Sequence, residues 1–273
     1  MKSHKNKKHK YKKNINKNSK KNINSRIKKA GSNNNFNKVA KKAHTFSMGA
    51  LNEASVGYNQ LGQVQNIRKI ISNYVVAHAL IRTDDDIKKA VDHWCSDPVA
   101  AGRKYGNISD WNTSRVTNMR FLFYNKKNFN DDISGWDVSN VTNMCYMFHD
   151  ATCFNQNIGG WDVSNVTDMV NMFCCARSFN QDINTKNVTR ADGSTYTAWD
   201  VSNVTNMGFM FGYATSFNQD ISGWDVSSVI DMNYMFKNAI NFNQDISEWE
   251  INNVIRMIYM FDNCPIDEIY KPT

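Results

Sequence analysis

The sequence predicts an α/β fold: a solenoid of about six 25-residue units, each a short strand followed by a short helix. A helical N-terminal cap and a basic N-terminal arm precede the units. Three observations predict this. Tryptophan recurs at Trp111, Trp136, Trp161, Trp199, Trp224 and Trp249, with separations of 25, 25, 38, 25 and 25 residues. Apolar residues recur at fixed offsets from each tryptophan, taken as position zero: Val at +2 and +5, Met at +8 and +11, Phe at +12 and +18, Ile at +22. Charge is segregated along the chain. A self-similar period of this length marks units too small to bury their own apolar face, which become stable by stacking.

Each element follows from the offsets. From +5 to +15 the apolar steps are 3, 3, 1 and 3, as in Val229, Met232, Met235, Phe236 and Ala239. That spacing fits one face of a short helix, with Ser227 and its equivalents Ser139, Ser164 and Ser202 placed as N-caps. Around the tryptophan, Ile221, Trp224 and Val226 end in the alternation of a short strand. Strands stacked in parallel about 4.8 Å apart would make six units on the order of 30 Å long. Eleven of the 13 methionines fall at +8 or +11, where flexible thioethers fill a repeating core.

Four regions are expected: an arm over 1–50, a helical cap region over 51–106, the repeats over 107–262 and a C-terminal cap over 263–273. In the cap region, Thr83 and Asp86 have capping-box spacing, Asp84 to Asp86 suit a helix start, and Ile87, Val91 and Trp94 line one face. Upstream, Leu61, Val64, Ile67, Ile70, Ile71, Tyr74 and Val75 have helical spacing, for packing on the cap or for a partner. The extra 13 residues fall at about 185–197. Asp192-Gly193 between "VTR" and "TYT" reads as a β-hairpin with a tight turn, expected to protrude from one place on the repeats. It is either a binding feature or a neutral insertion.

The segment charges are +16 for residues 1–50, +1 for 51–106 and −9 for 107–273, together the net +8. The arm holds 16 basic and no acidic residues and few apolar ones, so it is expected to be disordered. It suits salt-sensitive contact with nucleic acid or an anionic surface, or an import address; AT-rich coding alone would also favour Lys and Asn. The basic start lacks the apolar run of a classical signal peptide, and no stretch has the length of a membrane span. The chain is therefore expected inside the producing cell, in cytoplasm or nucleus, or in a virion.

Catalysis is not expected. His4, His9, His44, His78, His93 and His149 do not recur with the repeats, and no glycine-rich phosphate loop or nucleophile elbow is present. The cysteines Cys95, Cys145, Cys153, Cys174, Cys175 and Cys264 include no CxxC pair and read as small, partly buried thiols; no metal or cofactor is implied. The outward positions carry the candidate surface. Position +1, between inward-facing Trp and Val, holds Asp137, Asp162, Asp200, Asp225 and Glu250 after Asn112. Carboxylates stacked at strand spacing repel, so hydrogen bonds to Ser side chains or backbone, screening, a cation or a basic protein partner must compensate. Arg190, Asp192 and Tyr196 of the insertion complete the candidate partner-binding set. Asn130, Asn155, Asn180, Asn218 and Asn243 at +19 read as a structural amide ladder, and Asn140, Asn165 and Asn203, although in sequons, as structural too.

The motif FNQDISGWDVSNVTNMxxMFxxA, over about residues 107–262, resembles the 25–26-residue tandem repeat of BspA-like surface proteins. That repeat is the domain of unknown function common in mycoplasma and Listeria surface proteins and found also in protists and large DNA viruses. The resemblance implies a leucine-rich-repeat-like solenoid, a scaffold or adhesin-like role in protein binding, and no catalytic residues. The chain departs from surface-exposed members in showing no signal peptide or lipobox, and from the general leucine-rich consensus in carrying Val at its Asn position.

Overall fold

The computed structural model describes residues 80–273. The basic arm and the helical spacing at 61–75 lie outside the described residues. Strand β1 (Ile81–Thr83) leads into helix α1 (Ile87–Ser96) and helix α2 (Pro98–Tyr105); strand β2 (Asn112–Arg115) follows and pairs with β1 in parallel. Strands β3 (Lys186–Thr189) and β4 (Thr195–Ala198) form the antiparallel hairpin at Asp192-Gly193. Short 3₁₀ turns at Ile108–Asp110 and Glu268–Tyr270 complete the regular elements.

Each 25-residue unit stacks on the next. Single parallel bridges link Asn118 to Asn143, Asn143 to Asp168, Asp168 to Asn206, Asn206 to Asp231 and Asp231 to Arg256, all at position +7. Inside the stack the rows run continuously. Phe123, Phe148, Phe173, Phe211, Phe236 and Phe261 stack with ring centroids 5.3–5.7 Å apart. A second row, Phe129, Phe154, Phe179, Phe217 and Phe242, lies alongside at 5.9–6.1 Å. The methionines at +8 are fully buried in the first five units. Each tryptophan from the second unit on donates its Nε1–H to an Ile carbonyl of the preceding unit, as Trp136 does to Ile108 at 2.9 Å and Trp224 to Ile183 at 2.9 Å. The indole thus buries a large apolar surface with its one polar atom satisfied.

The helix read into +5 to +15 does not form. The segment is instead a series of turns. In the unit of Trp136, the N–H groups of Met147, His149 and Ala151 close on the carbonyls three residues back, at 3.0–3.3 Å. The alternate N–H groups, of Met144, Tyr146, Phe148 and Asp150, point at the next unit and donate to Asp168, Val170, Met172 and Cys174 at 2.9–3.0 Å. Apolar steps of three arise from turns closing every three residues as readily as from a helical face. The backbone settles the matter. Positions +10 and +14 have positive φ in every unit, from Phe121 and Asn125 to Tyr259 and Asn263, at 52–60°. No right-handed helix passes through such residues.

This geometry inverts a familiar substitution rule. Tyr213 sits at +14 with φ 59° and its side chain is partly exposed. Tyr213→Gly is expected to be more stable than Tyr213→Ala by about 1 kcal/mol, because Gly alone tolerates the left-handed region without cost. In a helix Ala would exceed Gly by about 1 kcal/mol. Urea unfolding of the two variants reads the sign directly.

The strand expected around each tryptophan forms only at β2, where β1 supplies a partner. In later units the segment after tryptophan curls. Val141 N–H donates to the Val138 carbonyl at 2.9 Å, and Ser139 N–H to Asp137 Oδ1 at 3.1 Å. The +3 serines therefore cap no helix; they close turns with the +1 carboxylate. The adjacent +6 residues keep a row of their own, with Thr142 N–H on the Thr117 carbonyl and Thr167 on Thr142 at 2.8–2.9 Å.

The first unit is covered by α1, which buries Ile87, Ala90, Val91 and Trp94. Trp94 meets Trp111 edge to face at 6.2 Å and donates Nε1–H to Asp131 at 3.1 Å. Of the three aspartates expected at the helix start, Asp86 stands at the N-cap, and no acidic residue lies in the first turn itself. Asp86 accepts the Thr83 N–H at 2.9 Å, half of the anticipated capping box, and its Oδ2 holds Arg82 at 2.9 Å. Asp84 reaches the first unit, accepting from the N–H groups of Thr117 and Asn118 at 2.8 and 3.1 Å and from Thr117 Oγ1 at 2.6 Å. It takes the place that the +6 carbonyl of a preceding unit fills elsewhere.

Burial pushes the Asp84 carboxyl up, but the hydrogen bonds from Thr117 and Asn118 outweigh it and hold it below the usual carboxylate range. A depressed folded value stabilises above the unfolded value, near 3.9, and that contribution is lost as pH falls through the folded value. Asp84→Asn is expected to unfold at lower temperature than the parent at pH 7, with the gap closing between pH 4 and pH 2. Thermal melts at pH 7 and pH 2.5 check it.

Candidate binding surface

The +1 carboxylates were the first candidate, and the fold turns one oxygen of most of them inward. Oδ1 of Asp137 accepts Ser139 Oγ at 2.6 Å, and that of Asp162 accepts Ser164 Oγ at 2.7 Å. Asp200 and Asp225 accept the N–H groups of Ser202 and Ser227 at 3.1 and 3.0 Å. Hydrogen bonding from Ser227 holds the Asp225 carboxyl below its ordinary range. Of the compensations available to stacked carboxylates, short-range hydrogen bonding to Ser is present in these four units. What remains without a partner is the second oxygen of Asp137, Asp200 and Asp225, with the exposed Glu250 at the end of the row.

The hairpin does not protrude freely. It folds back on this row. Arg190 pairs with Asp162 Oδ2 at 2.7 Å while its guanidinium lies over the Tyr196 ring, 4.0 Å from the centroid. Tyr196 donates its hydroxyl to the Gly160 carbonyl, and Val188 and Tyr196 pack against the core. Partial burial raises the Tyr196 phenol above its ordinary value. The reason is chemical: an amphipathic hairpin with one Arg and one Tyr finds both a carboxylate and a free carbonyl on the unit beside it. Lys186, Asn187, Thr189 and Thr195 stay exposed along the strands, as does the tip, where Asp192 accepts from Ser194 N and Oγ at 2.9 and 2.7 Å. Arg190, Tyr196 and Asp162 are thus brought together; Asp192, at the tip, is held by Ser194.

The asparagine rows are used inside the stack. Asn155 N–H donates to Asn130 Oδ1 at 2.8 Å, Asn180 to Asn155 and Asn218 to Asn180 at 2.9 Å, and Asn243 to Asn218 at 2.9 Å. The sequon asparagines Asn140, Asn165 and Asn203 donate Nδ2–H to Ser114, Ser139 and Ser164 carbonyls at 2.7–2.9 Å. Each therefore bridges to the unit before it. The cysteines are free; burial pushes the Cys145 thiol up to about 12. Among the described residues no three His, Cys, Asp or Glu side chains gather as a metal site, and no helix is long and apolar enough to cross a membrane.

One surface feature escaped the sequence reading. At +10, Phe121 stacks on Tyr146 at 4.8 Å, Phe209 on Tyr234 at 4.4 Å and Tyr234 on Tyr259 at 5.5 Å. These rings sit on positive-φ residues. A bulky residue there costs about 1–2 kcal/mol of backbone strain, which the ring stack offsets. The recurrence of an aromatic ten residues after tryptophan was the available signal.

No curated protein and no solved structure matches the chain. A family model matches it twice, over residues 99–197 and 187–266, the two matches meeting at the hairpin. Together they span more than half of the 273 residues and nearly all of the stacked units, so the chain belongs to the Mycoplasma family of proteins of unknown function, DUF285.

Proposed function

We propose that the chain is a non-enzymatic protein-interaction module, a solenoid whose repetitive surface serves as a scaffold or adhesin-like platform. Its +1 row of Asp137, Asp162, Asp200, Asp225 and Glu250 receives basic side chains of an extended partner segment. One observation carries this reading. The chain's own hairpin docks on that row through Arg190, which meets Asp162 at 2.7 Å with Tyr196 stacked beneath it. A guanidinium from a partner finds the same second oxygen at Asp137, Asp200 and Asp225. Such rim ion pairs set association rate and selectivity more than affinity.

The test is capture of partners from the producing cell by the full chain and by Asp137, Asp200 and Asp225 changed together to Asn. The Asn side chains keep the Ser hydrogen bonds, so the fold is retained while the charge is lost. Partners lost from the variant, and lost from the parent at high salt, support the reading. An unchanged set removes the row as the interface.

A second reading rests on the 16 basic and no acidic residues of the arm. It makes the protein nucleic-acid-associated or a virion packaging component through residues 1–50, with phosphate contacts that weaken steeply as salt rises. Full-length and 1–50-deleted protein should then differ by orders of magnitude in low-salt binding to mixed-sequence DNA. Equal binding discards it.

A further inference from the structure

The hydrogen-bond ladder between units has a direction. Each unit donates the N–H groups at +8, +10, +12 and +14 to carbonyls of the unit after it. The +6 N–H runs the other way, to the +6 carbonyl of the unit before, as Ile255 does to Ile230 at 3.0 Å. Among the described residues no unit stacks on the one beginning at Trp249. The N–H groups of Met257, Tyr259, Phe261 and Asn263 consequently meet no acceptor, and the Ile255 carbonyl no donor, among the described residues.

The side chains show the same vacancy. Met257 is 43% exposed, whereas Met119, Met144, Met169, Met207 and Met232 at the equivalent position are 0% exposed. Beside it Ile255 is 74%, Ile258 60% and Tyr259 62% exposed. The C-terminal segment covers the tryptophan side and reaches the edge itself only through Lys271, which lies over the Phe261 ring at 5.6 Å. On the tryptophan side Ile246 N–H donates to the Tyr270 carbonyl at 3.0 Å, Asp267 N–H to Asn243 Oδ1 at 2.9 Å, and Trp249 stays buried. The first unit is treated differently. Asp84 and α1 close it, with Lys88 on the Phe121 carbonyl at 3.3 Å and Asp92 on Lys126 at 2.7 Å.

We propose that this C-terminal edge is a docking site for a polypeptide segment of another protein, which adds to the stack as one further unit. The edge specifies its occupant: a backbone offering carbonyls at four alternate residues and one N–H for Ile255, with apolar side chains spaced as Val, Met, Met and Phe are in the units. A second copy of this chain does not supply that. Two such edges face to face bring donor rows against donor rows. Head to tail, the edge meets α1, which presents Lys88 and Lys89 to solvent in place of open carbonyls. Strand-edge addition of this kind takes affinity from main-chain hydrogen bonds and selectivity from alternate side chains. The site is separate from the +1 row, and neither depends on the other.

The test uses full-length, isotopically labelled protein and a synthetic peptide of residues 224–248 as a stand-in for a further unit. Amide exchange at Met257, Tyr259, Phe261 and Asn263 is expected to be fast in the free protein and slowed at least tenfold by saturating peptide. A scrambled peptide of the same composition leaves it fast. Ile255→Glu with Ile258→Glu, both at exposed positions, is expected to weaken peptide binding at least tenfold without changing the melting temperature. Unslowed exchange, or equal slowing by the scrambled peptide, overturns the site. Slow exchange in the free protein overturns it too, by showing that the chain's own segments cover the edge. Self-association that rises with concentration and disappears in the double variant overturns the choice of occupant. Each outcome is independent of partner capture by the carboxylate row.

Discussion

Phe173→Ala is expected to cost about 3–5 kcal/mol of unfolding free energy, roughly twice the cost of Phe261→Ala. Both residues hold position +12, but their surroundings differ. Phe173 is fully buried and stacks on Phe148 at 5.6 Å, Phe211 at 5.7 Å and Phe179 at 4.1 Å, with Trp199 at 6.3 Å. Truncation there leaves a cavity bounded on both sides by neighbouring units that cannot collapse into it. Phe261 has Phe236 on one side at 5.7 Å and Lys271 over its ring, and is only half-buried. In a stack where each unit touches only its neighbours, a central cavity also weakens two interfaces at once. Urea unfolding of Phe173→Ala is therefore expected to broaden or split, whereas Phe261→Ala keeps one transition at slightly lower urea. Equal losses from the two variants would contradict a core built from stacked rows.

The rows were legible because period and burial are the same information. Every residue read as inward from FNQDISGWDVSSVIDMNYMF, namely Phe217, Ile221, Trp224, Val226, Val229, Met232, Met235 and Phe236, is buried. The amide ladder was legible for a related reason, since an Asn at one offset in five units has its nearest equivalent one unit away. Backbone conformation was not legible from spacing alone. Helical faces and turns that close every three residues both put apolar side chains at steps of three. The distinguishing mark was the residue at +14: Asn125, Asp150, Asn238 and Asn263 are types that enter the left-handed region readily. Asp84 reads as an acidic residue suited to the helix start because that rule is local, whereas its partners, Thr117 and Asn118, lie more than 30 residues away. The hairpin was found from its turn residues, but its docking on Asp162 depends on a contact between units that no local pattern encodes.

The same directionality explains why the two ends of the stack differ chemically. The first unit must satisfy N–H groups at Thr117 and Asn118, and a carboxylate does so at Asp84. The last unit leaves N–H groups along a whole edge, which one side chain cannot cover. A repeat that is polar in its hydrogen bonding therefore cannot be capped by the same device twice.

Asn180→Leu is expected to cost about 1–3 kcal/mol, although the side chain is only half-buried and the swap keeps the branching and the number of side-chain heavy atoms. Its Oδ1 accepts two bonds, from Asn218 N–H and Gln219 Nε2, both at 2.9 Å, across the one junction that carries the insertion. Its own N–H bond to Asn155 survives the change. Leucine removes the acceptor of both donors, and because Asn218 is exposed and Gln219 half-buried each loss is about 0.5–1.5 kcal/mol. Asn180→Asp keeps an oxygen in the same place and is expected to lose less than half as much at pH 7. The contrast separates lost acceptance from lost packing, because Leu fills the space and Asp does not improve it. Hydrogen exchange locates the effect: the amide of Asn218 is expected to open at least tenfold faster in Asn180→Leu and to stay near the parent rate in Asn180→Asp. If both variants lose the same stability, the amide row contributes shape alone and its hydrogen bonds do not hold the junction.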